Sequence, residues 1–223
     1  MAKEQNKYSQ SLYLVSPTHF VLAEFLPKLE EALAASDVVK SFQLRLKDAQ
    51  DDDVIVAANA ILPICRKYDV AFLINDRPDL VVKCDADGVH LGQDDMSVND
   101  ARKIVGANRI IGVSCHASKD MAFDACEQGA DYVAFGAFFP TKSKPQEKVE
   151  KWGVPGIELV EFWSQYTNIP CVAIGGVNAE NCKLLIDAGA DFIAAITAVW
   201  EHPKGAGEAV KEFAKCLKDS TIR

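Results

Sequence analysis

Two aspartates, Asp76 and Asp95, each follow a short apolar run that predicts a buried strand. The runs are residues 71–74 and 88–91, and a brief helical pattern separates them. Because a helical crossover joins parallel strands, we expect the two carboxylates to lie at the same edge of one sheet.

Amide side chains accompany both carboxylates, with Asn75 directly before Asp76 and Gln93 two residues before Asp95. Carboxylate and amide oxygens suit Mg²⁺, which keeps several waters and substrate phosphates among its ligands. The pattern therefore predicts a Mg²⁺ site held by Asp76 and Asp95. The alternative is that each aspartate caps the helix that follows it.

Another strand is predicted over residues 38–46 and carries Gln43 and Arg45 on one face. Lys47 follows at the same two-residue spacing. Burying such a face is costly unless it meets a ligand, since isolated charges in a core cost several kcal/mol. We therefore predict a pocket for an anionic ligand. The alternative is an edge strand whose polar face is solvated.

Residues 136–154 form the longest connection in the chain and contain Thr141, Ser143 and Lys144. Long connections inside compact domains are often lids or binding loops. A surface excursion without a role is the competing interpretation.

Ser114 ends another predicted strand and His116 follows two residues later, whereas His90 lies within the run at 88–91. Either histidine could transfer protons or be purely structural. No clear pair of nucleophile and base stands out in the sequence. The set of polar residues instead favours electrostatic catalysis, in which cations and Mg²⁺ stabilise a departing pyrophosphate.

Gly175 and Gly176 follow the seventh predicted strand, and Ile196 and Thr197 follow the eighth. In barrel enzymes the loops after these two strands commonly hold a phosphate through backbone N–H groups. The glycine pair has an alternative explanation, since turns need glycine anyway.

Eight strands alternate with eight helices along the chain, with short joints, which predicts a (β/α)₈ TIM barrel. An open doubly wound sheet is the alternative. The sequence Gly-Ala-Asp occurs before strands six and eight, where each glycine should end a helix in a left-handed conformation. The predicted strands are 11–15, 38–46, 71–74, 88–91, 109–114, 132–135, 171–174 and 192–196, and the helices 20–35, 51–67, 78–84, 97–105, 118–128, 156–166, 178–188 and 205–217.

The composition fits one large domain, residues 1–223, with residues 1–10 as a flexible extension. A net charge of −8 argues against nucleic acid and anionic membranes as partners. Seven scattered cysteines, a polar N-terminus and the lack of a membrane-length apolar run favour a cytoplasmic protein. A homo-oligomer is compatible with these features.

Six motifs, in order over most of the chain, resemble those of the thiamine phosphate synthase family. The matching residues are Gln43-x-Arg45-x-Lys47, Ile74-Asn75-Asp76-Arg77, Gly88-Val89-His90-Leu91-Gly92-Gln93-Asp94-Asp95, Gly112-Val113-Ser114, Pro140-Thr141-x-Ser143-Lys144 and Ala173-Ile174-Gly175-Gly176. Any one of these motifs would be weak, but the ordered set is specific.

The resemblance implies a Mg²⁺-dependent condensation of a hydroxymethylpyrimidine pyrophosphate with a thiazole phosphate, which gives thiamine phosphate and pyrophosphate, and CO₂ where the thiazole is carboxylated. In that family the bond to pyrophosphate breaks early, and the thiazole nitrogen captures the resulting cation without a protein nucleophile. Small-molecule substrates are thus the implied partners.

The resemblance also implies a role for each matching residue. The implied catalytic residues are Arg45, Lys47, Ser114 and Lys144. Mg²⁺ would be held by Asp76 and Asp95, and the pyrophosphate would be bound by Arg45, Lys47, Asn75 and Lys144. Gln43 would face the pyrimidine, and Ser114 would contact the leaving group. The thiazole phosphate would be surrounded by Thr141, Ser143, Gly176, Ile196 and Thr197.

Two positions depart from the family's usual pattern, because Ser143 replaces a threonine and Thr197 replaces a serine. Both residues keep a hydroxyl, so we expect an altered fit and retained activity. The rivals are a thiazole tautomerase-like isomerase, which would not need the pyrophosphate-binding set, and a non-catalytic binder of thiamine phosphates, which would not need the metal-binding carboxylates.

Overall fold

Eight parallel strands form a closed barrel in chain order in a computed structural model that describes residues 10–141 and 150–218. The (β/α)₈ prediction is confirmed, and the open sheet is excluded because the first strand pairs with the eighth. The strands are β1 Ser11–Val15, β2 Val39–Leu44, β3 Ala71–Asn75, β4 Gly88–Leu91, β5 Ile110–His116, β6 Tyr132–Phe135, β7 Cys171–Ile174 and β8 Phe192–Ala195.

Helices surround the barrel and connect successive strands. They are α1 Leu22–Ala35, α2 Asp51–Lys67, α3 Pro78–Cys84, α4 Val98–Val105, α5 Lys119–Glu127, α6 Ile157–Tyr166, α7 Cys182–Asp187, α8 Thr197–Trp200 and α9 Ala206–Lys218. Within the parts of the chain that the structure describes, no helix is both long and apolar enough to cross a membrane.

Alternate residues of each strand face two separate cores. Leu12 and Leu14 of β1 belong to the large core between strands and helices, whereas Tyr13 and Val15 belong to a smaller core inside the barrel. This alternation follows from the two-residue period of a strand. It turns Gln43 of β2 toward the barrel interior, because Phe42 and Leu44 lie in the outer core.

Three aspartates at the amino end of the barrel explain the repeated sequence before alternate strands. Asp87, Asp131 and Asp191 directly precede β4, β6 and β8, and a carboxylate oxygen of each accepts a hydrogen bond from the backbone N–H of Phe72, Ile111 or Cys171 on the preceding strand, at 2.7–2.8 Å. Gly129 and Gly189 end the helices before two of them with φ of 91° and 99°, as predicted.

Several element boundaries differ from the predictions, and two of the differences have a clear cause in the structure. β2 ends at Leu44 instead of residue 46, because the Arg45 N–H donates to Ser16 Oγ. α7 begins at Cys182 instead of residue 178, because the Asn178 side chain accepts from the following backbone N–H groups and forms a turn. The short helix α8 was not predicted. Residues 1–9 and 219–223 lie outside the described chain, so the flexible extension and the outer domain bounds stay predictions.

Candidate active site

The carboxyl ends of the strands surround a cavity of about 300 Å³. Every predicted site residue that the structure describes lines it, although these residues come from loops far apart in the sequence. They are Gln43, Arg45, Lys47, Asn75, Asp76, Asp95, Ser114, Thr141, Gly176, Ile196 and Thr197. Ser143 and Lys144 lie outside the described residues.

Asp76 and Asp95 line this cavity from the loops after β3 and β4. Asp76 has φ of 63°, and its backbone N–H donates to the His90 carbonyl at 2.8 Å, which fixes the turn. Asp95 Oδ2 accepts from the Gly92 N–H at 2.7 Å. Neither aspartate is the N-cap residue of the following helix.

The two helices after these strands begin at other residues. Arg77 is the N-cap of α3 and makes no side-chain cap, and Ser97 caps α4 by accepting from the Asp100 N–H. The capping alternative for Asp76 and Asp95 is therefore wrong.

Arg45 and Lys47 lie in the loop after β2, one on each side of Leu46, and both line the cavity. Burial lowers the pKa of the Arg45 guanidinium, and the nearby Asp76 carboxylate acts in the opposite direction. Lys47 is exposed and also borders a neighbouring open cleft between the β1–α1 loop and α8. The solvated-edge alternative is excluded, since a closed barrel has no edge strand.

Inside the barrel, buried polar side chains connect Gln43 to the opposite wall. Gln43 donates through Nε2 to Asn75 Oδ1 and accepts from the Tyr13 hydroxyl at 3.1 Å. The Tyr13 hydroxyl also lies 2.9 Å from the Tyr132 hydroxyl. Burial raises the pKa of both tyrosines well above the ordinary value, so both stay protonated.

His90 continues these contacts to the cavity wall. Its Nδ1 lies 2.8 Å from the Tyr132 hydroxyl and its Nε2 lies 2.9 Å from Ser114 Oγ. Burial and the charge of Arg45 lower the pKa of His90 to about 4, which makes it a weak base. The Ser114–His90 contact, which was not expected from the sequence, is therefore a positioning contact and lacks the carboxylate that orients histidine in nucleophilic sites.

Sequence analysis missed Tyr13 and Tyr132, although one local signal was present. A tyrosine in a predicted barrel strand must find a partner for its hydroxyl if it is buried. Gly112 provides the space on β5, because a Cβ at that position would lie 1.8 Å from the Tyr132 ring.

The glycine pair after β7 packs closely against the loop that follows β6. Gly176 has φ of 65°, and a Cβ there would lie 2.5 Å from the Pro140 carbonyl oxygen. The pair therefore has a structural requirement of its own. It also borders the cavity, and so does Thr197, where α8 begins directly after β8.

His116 ends β5 with φ of 53°, and its ring stacks on Trp152 with centroids 5.0 Å apart. Lys151 beside it lies 3.9 Å from Asp94, a cavity-lining residue that was not predicted to be in the site. The described end of the long connection thus packs against the cavity mouth.

The arrangement combines two carboxylates, two cations and several hydrogen-bonding groups around one cavity. Such a set can bind a divalent cation and an anionic ligand together and can stabilise negative charge that develops in a reaction.

Comparisons with known proteins show which family the chain belongs to. The family model described as thiamine monophosphate synthase matches residues 12–199. A thiamine-phosphate synthase from Rhodospirillum centenum is 46% identical over 208 residues, which cover 93% of this chain and 97% of that protein. A thiamine-phosphate synthase from Erythrobacter litoralis is 48% identical over 205 residues, which cover 92% of this chain and 93% of that protein.

Among solved structures, a thiamine phosphate pyrophosphorylase from Pyrococcus furiosus superposes with a TM-score of 0.83 at 31% identity, covering 96% of this chain and 98% of that one. The matches in sequence and in fold extend over nearly the whole barrel. The chain therefore belongs to the thiamine monophosphate synthase family and is a transferase.

Proposed function

We propose that the chain joins a hydroxymethylpyrimidine pyrophosphate to a thiazole phosphate, or its carboxylate, and releases thiamine phosphate and pyrophosphate, with CO₂ from the carboxylate. The thiazole nitrogen forms a bond to the pyrimidine methylene carbon, and the bond from that carbon to the pyrophosphate oxygen breaks. The observation that carries the proposal is the convergence of Asp76, Asp95, Arg45 and Lys47 on one cavity.

The carboxylates fit Mg²⁺ by the chemistry of their oxygen donors. Within residues 10–141 and 150–218, no group of three His, Cys, Asp or Glu side chains could hold a metal ion. Asp76 and Asp95 supply two oxygen ligands, and Mg²⁺ commonly completes its octahedral shell with waters and substrate phosphates. When bound, Mg²⁺ would neutralise charge on the pyrophosphate.

Arg45, Lys47 and Asn75 bind the pyrophosphate and stabilise its charge as it leaves, together with Lys144. Positive groups in a partly enclosed site act more strongly on this charge than they would in water. No proton must be removed from the thiazole nitrogen, which is consistent with the low basicity of His90.

The second substrate lies on the side of the cavity that β6, β7 and β8 form. Its phosphate is held by Thr141, Ser143 and the backbone at Gly176, with Ile196 and Thr197 beside it, while Gln43 and Ser114 contact the pyrimidine substrate. The positive φ of Gly176 and the start of α8 at Thr197 support this site.

We also propose a cytoplasmic location, which the seven free cysteines support.

The test is to incubate the purified chain with both substrates and Mg²⁺ and to measure thiamine phosphate and pyrophosphate separately. Equal amounts of both products, lost on chelation of Mg²⁺, are expected. Turnover of a thiazole without pyrophosphate release would instead support the isomerase, and binding of thiamine phosphate with no product would support the binder.

A further inference from the structure

One chain of hydrogen bonds runs through the barrel interior and reaches the cavity at both ends. In order, its members are Asn75, Gln43, Tyr13, Tyr132, His90 and Ser114. Asn75 and Ser114, the two ends, both line the cavity, whereas Tyr13 and Tyr132 do not.

The direction of this chain follows from the Gln43 amide. Its Nε2 donates to Asn75 Oδ1, so its Oε1 accepts the proton of the Tyr13 hydroxyl. A phenol has one proton. Tyr13 must therefore act as the acceptor in its contact with Tyr132, at 2.9 Å.

The single hydroxyl proton of Tyr132 also fixes the direction of its hydrogen bond with His90. Tyr132 uses its proton for Tyr13, so it accepts from the N–H at His90 Nδ1, 2.8 Å away. The ring is buried, and its described side-chain hydrogen bonds are to two hydroxyls, so it is neutral with its one proton at Nδ1. His90 Nε2 then accepts the proton of Ser114 Oγ at 2.9 Å.

The two ends consequently offer opposite groups to a ligand. Ser114 has committed its proton to His90 and presents only oxygen lone pairs to the cavity. Asn75 accepts through Oδ1 and has the N–H donors of Nδ2 left over. We infer that this chain of hydrogen bonds makes Ser114 an acceptor for an N–H group of the organic substrate. Tyr13 and Tyr132 are then positioning residues that maintain the direction of the hydrogen bonds, which we call the polarity of the chain.

The identity of the ligand in this inference rests on the proposed function. The charged oxygens of a diphosphate are acceptors, so they fit the N–H donors of Asn75 and not Ser114, whereas an amino group on a ring fits Ser114. Reversing the direction of these hydrogen bonds would require the His90 proton to move from Nδ1 to Nε2. The side-chain amides of Gln43 and Asn75 would both have to turn over. The polarity thus refines the role that the family resemblance implies for Ser114, which was contact with the leaving group.

The position of the His90 proton can be measured without any activity. In the ligand-free full chain, long-range ¹H–¹⁵N NMR spectra distinguish a protonated ring nitrogen from an unprotonated one, and the His90 signals are identified by their absence in His90→Gln. We expect Nδ1 protonated and Nε2 unprotonated at neutral pH. A proton at Nε2 would overturn the inference and leave the proposed function untouched.

Inorganic pyrophosphate with Mg²⁺ serves as the anionic probe. Because the inference assigns the anion to the Asn75 end, saturation with this probe should leave the His90 proton at Nδ1. Movement of the proton to Nε2 would mean that Ser114 donates to the anion, contrary to the inference.

Tyr132→Phe tests the positioning role, with Tyr166→Phe as the control, since Tyr166 is 72% exposed at the end of α6. Without the acceptor hydroxyl, the His90 proton should move to Nε2, and kcat/KM for the pyrimidine substrate should fall about tenfold, as expected for one misdirected hydrogen bond. Tyr166→Phe should change neither quantity.

A double-variant cycle separates this role from general damage to the barrel. Adding Tyr132→Phe to Ser114→Ala should cost little further activity, because coupled residues are not additive. Fully additive losses, or an unchanged His90 proton in Tyr132→Phe, would contradict the role of Tyr132. If that variant does not fold, the wild-type spectra still decide the polarity.

Discussion

Asp69 and Asp76 flank strand β3 at its two ends with similar left-handed backbones, φ of 55° and 63°, but only Asp76 lines the cavity. Asp69 is exposed at the opposite end of the barrel. The pair therefore separates the effect of a carboxylate at the site from the effect of its unusual backbone. Asparagine tolerates the same backbone conformation, so substitution by asparagine removes only the charge.

We expect Asp76→Asn to lower kcat by at least ~10²-fold, because it removes charge that would hold Mg²⁺ against the leaving pyrophosphate. Asp69→Asn should retain wild-type kcat. Product formation is measured over a range of Mg²⁺ concentrations, and Asp76→Asn should need more Mg²⁺ for half-maximal rate. Equal rates in the two variants would reject the metal-binding role of Asp76.

Lys47→Met should raise KM for the pyrimidine pyrophosphate and lower kcat, with a combined loss in kcat/KM of at least ~10²-fold. Lys40 on the same β2 strand is exposed and lies outside the cavity, so Lys40→Met is the matched control for the loss of one positive charge. Initial rates at varied substrate concentration provide the measurement. A similar loss in both variants would point to the overall charge of the protein and not to a contact by Lys47.

Gly176→Ala should reduce the free energy of unfolding by about 1–3 kcal/mol more than Gly106→Ala does, because the new Cβ overpacks a closed loop. Both glycines have positive φ, but a Cβ at Gly106 meets no atom within 4 Å, whereas one at Gly176 would lie 2.5 Å from the Pro140 carbonyl oxygen. Urea denaturation measures the difference. Equal destabilisation would mean that only the backbone conformation matters at Gly176.

The stability of the chain should fall as the pH drops from 7 toward 4, because burial lowers the pKa of His90 from 6.5 to about 4. In that window the unfolded chain takes up a proton that the folded chain excludes, so protonation favours unfolding. The full loss in the free energy of unfolding is on the order of 3 kcal/mol. Arg45 opposes and Asp95 favours protonation of the ring, and Tyr132 and Ser114 contact it.

Denaturation curves at several pH values should show a shallower pH dependence for His90→Gln than for the wild type. The NMR signals of His90 in the folded chain provide an independent check, since they should not titrate above pH 5. A midpoint near 6.5 in the folded state would contradict the prediction.

Much of the fold could be predicted because its signals are local. Strands such as residues 88–91 and 132–135 have their predicted bounds, since short apolar runs end at glycine and polar residues within a few positions. The convergence of Asp76 and Asp95 could also be predicted. Parallel strands carry their carboxyl ends to one side, so residues that follow successive strands must share a rim.

Other features required contacts between distant segments. The barrel closes through pairing of Ser11 with Phe192, and no local pattern distinguishes this from an open sheet. β2 stops at Leu44 because Ser16, directly after β1, accepts a hydrogen bond from the Arg45 N–H.

The sequence by itself thus determined the alternation of strands and helices and the set of charged residues at one rim, because both depend on residue type and short-range periodicity. Only the tertiary structure decided that Tyr13 and Tyr132, 119 positions apart, share a hydrogen bond and link Gln43 to His90. The physical reason is that a buried hydroxyl must find a partner, but which partner it finds depends on strand register around the closed barrel.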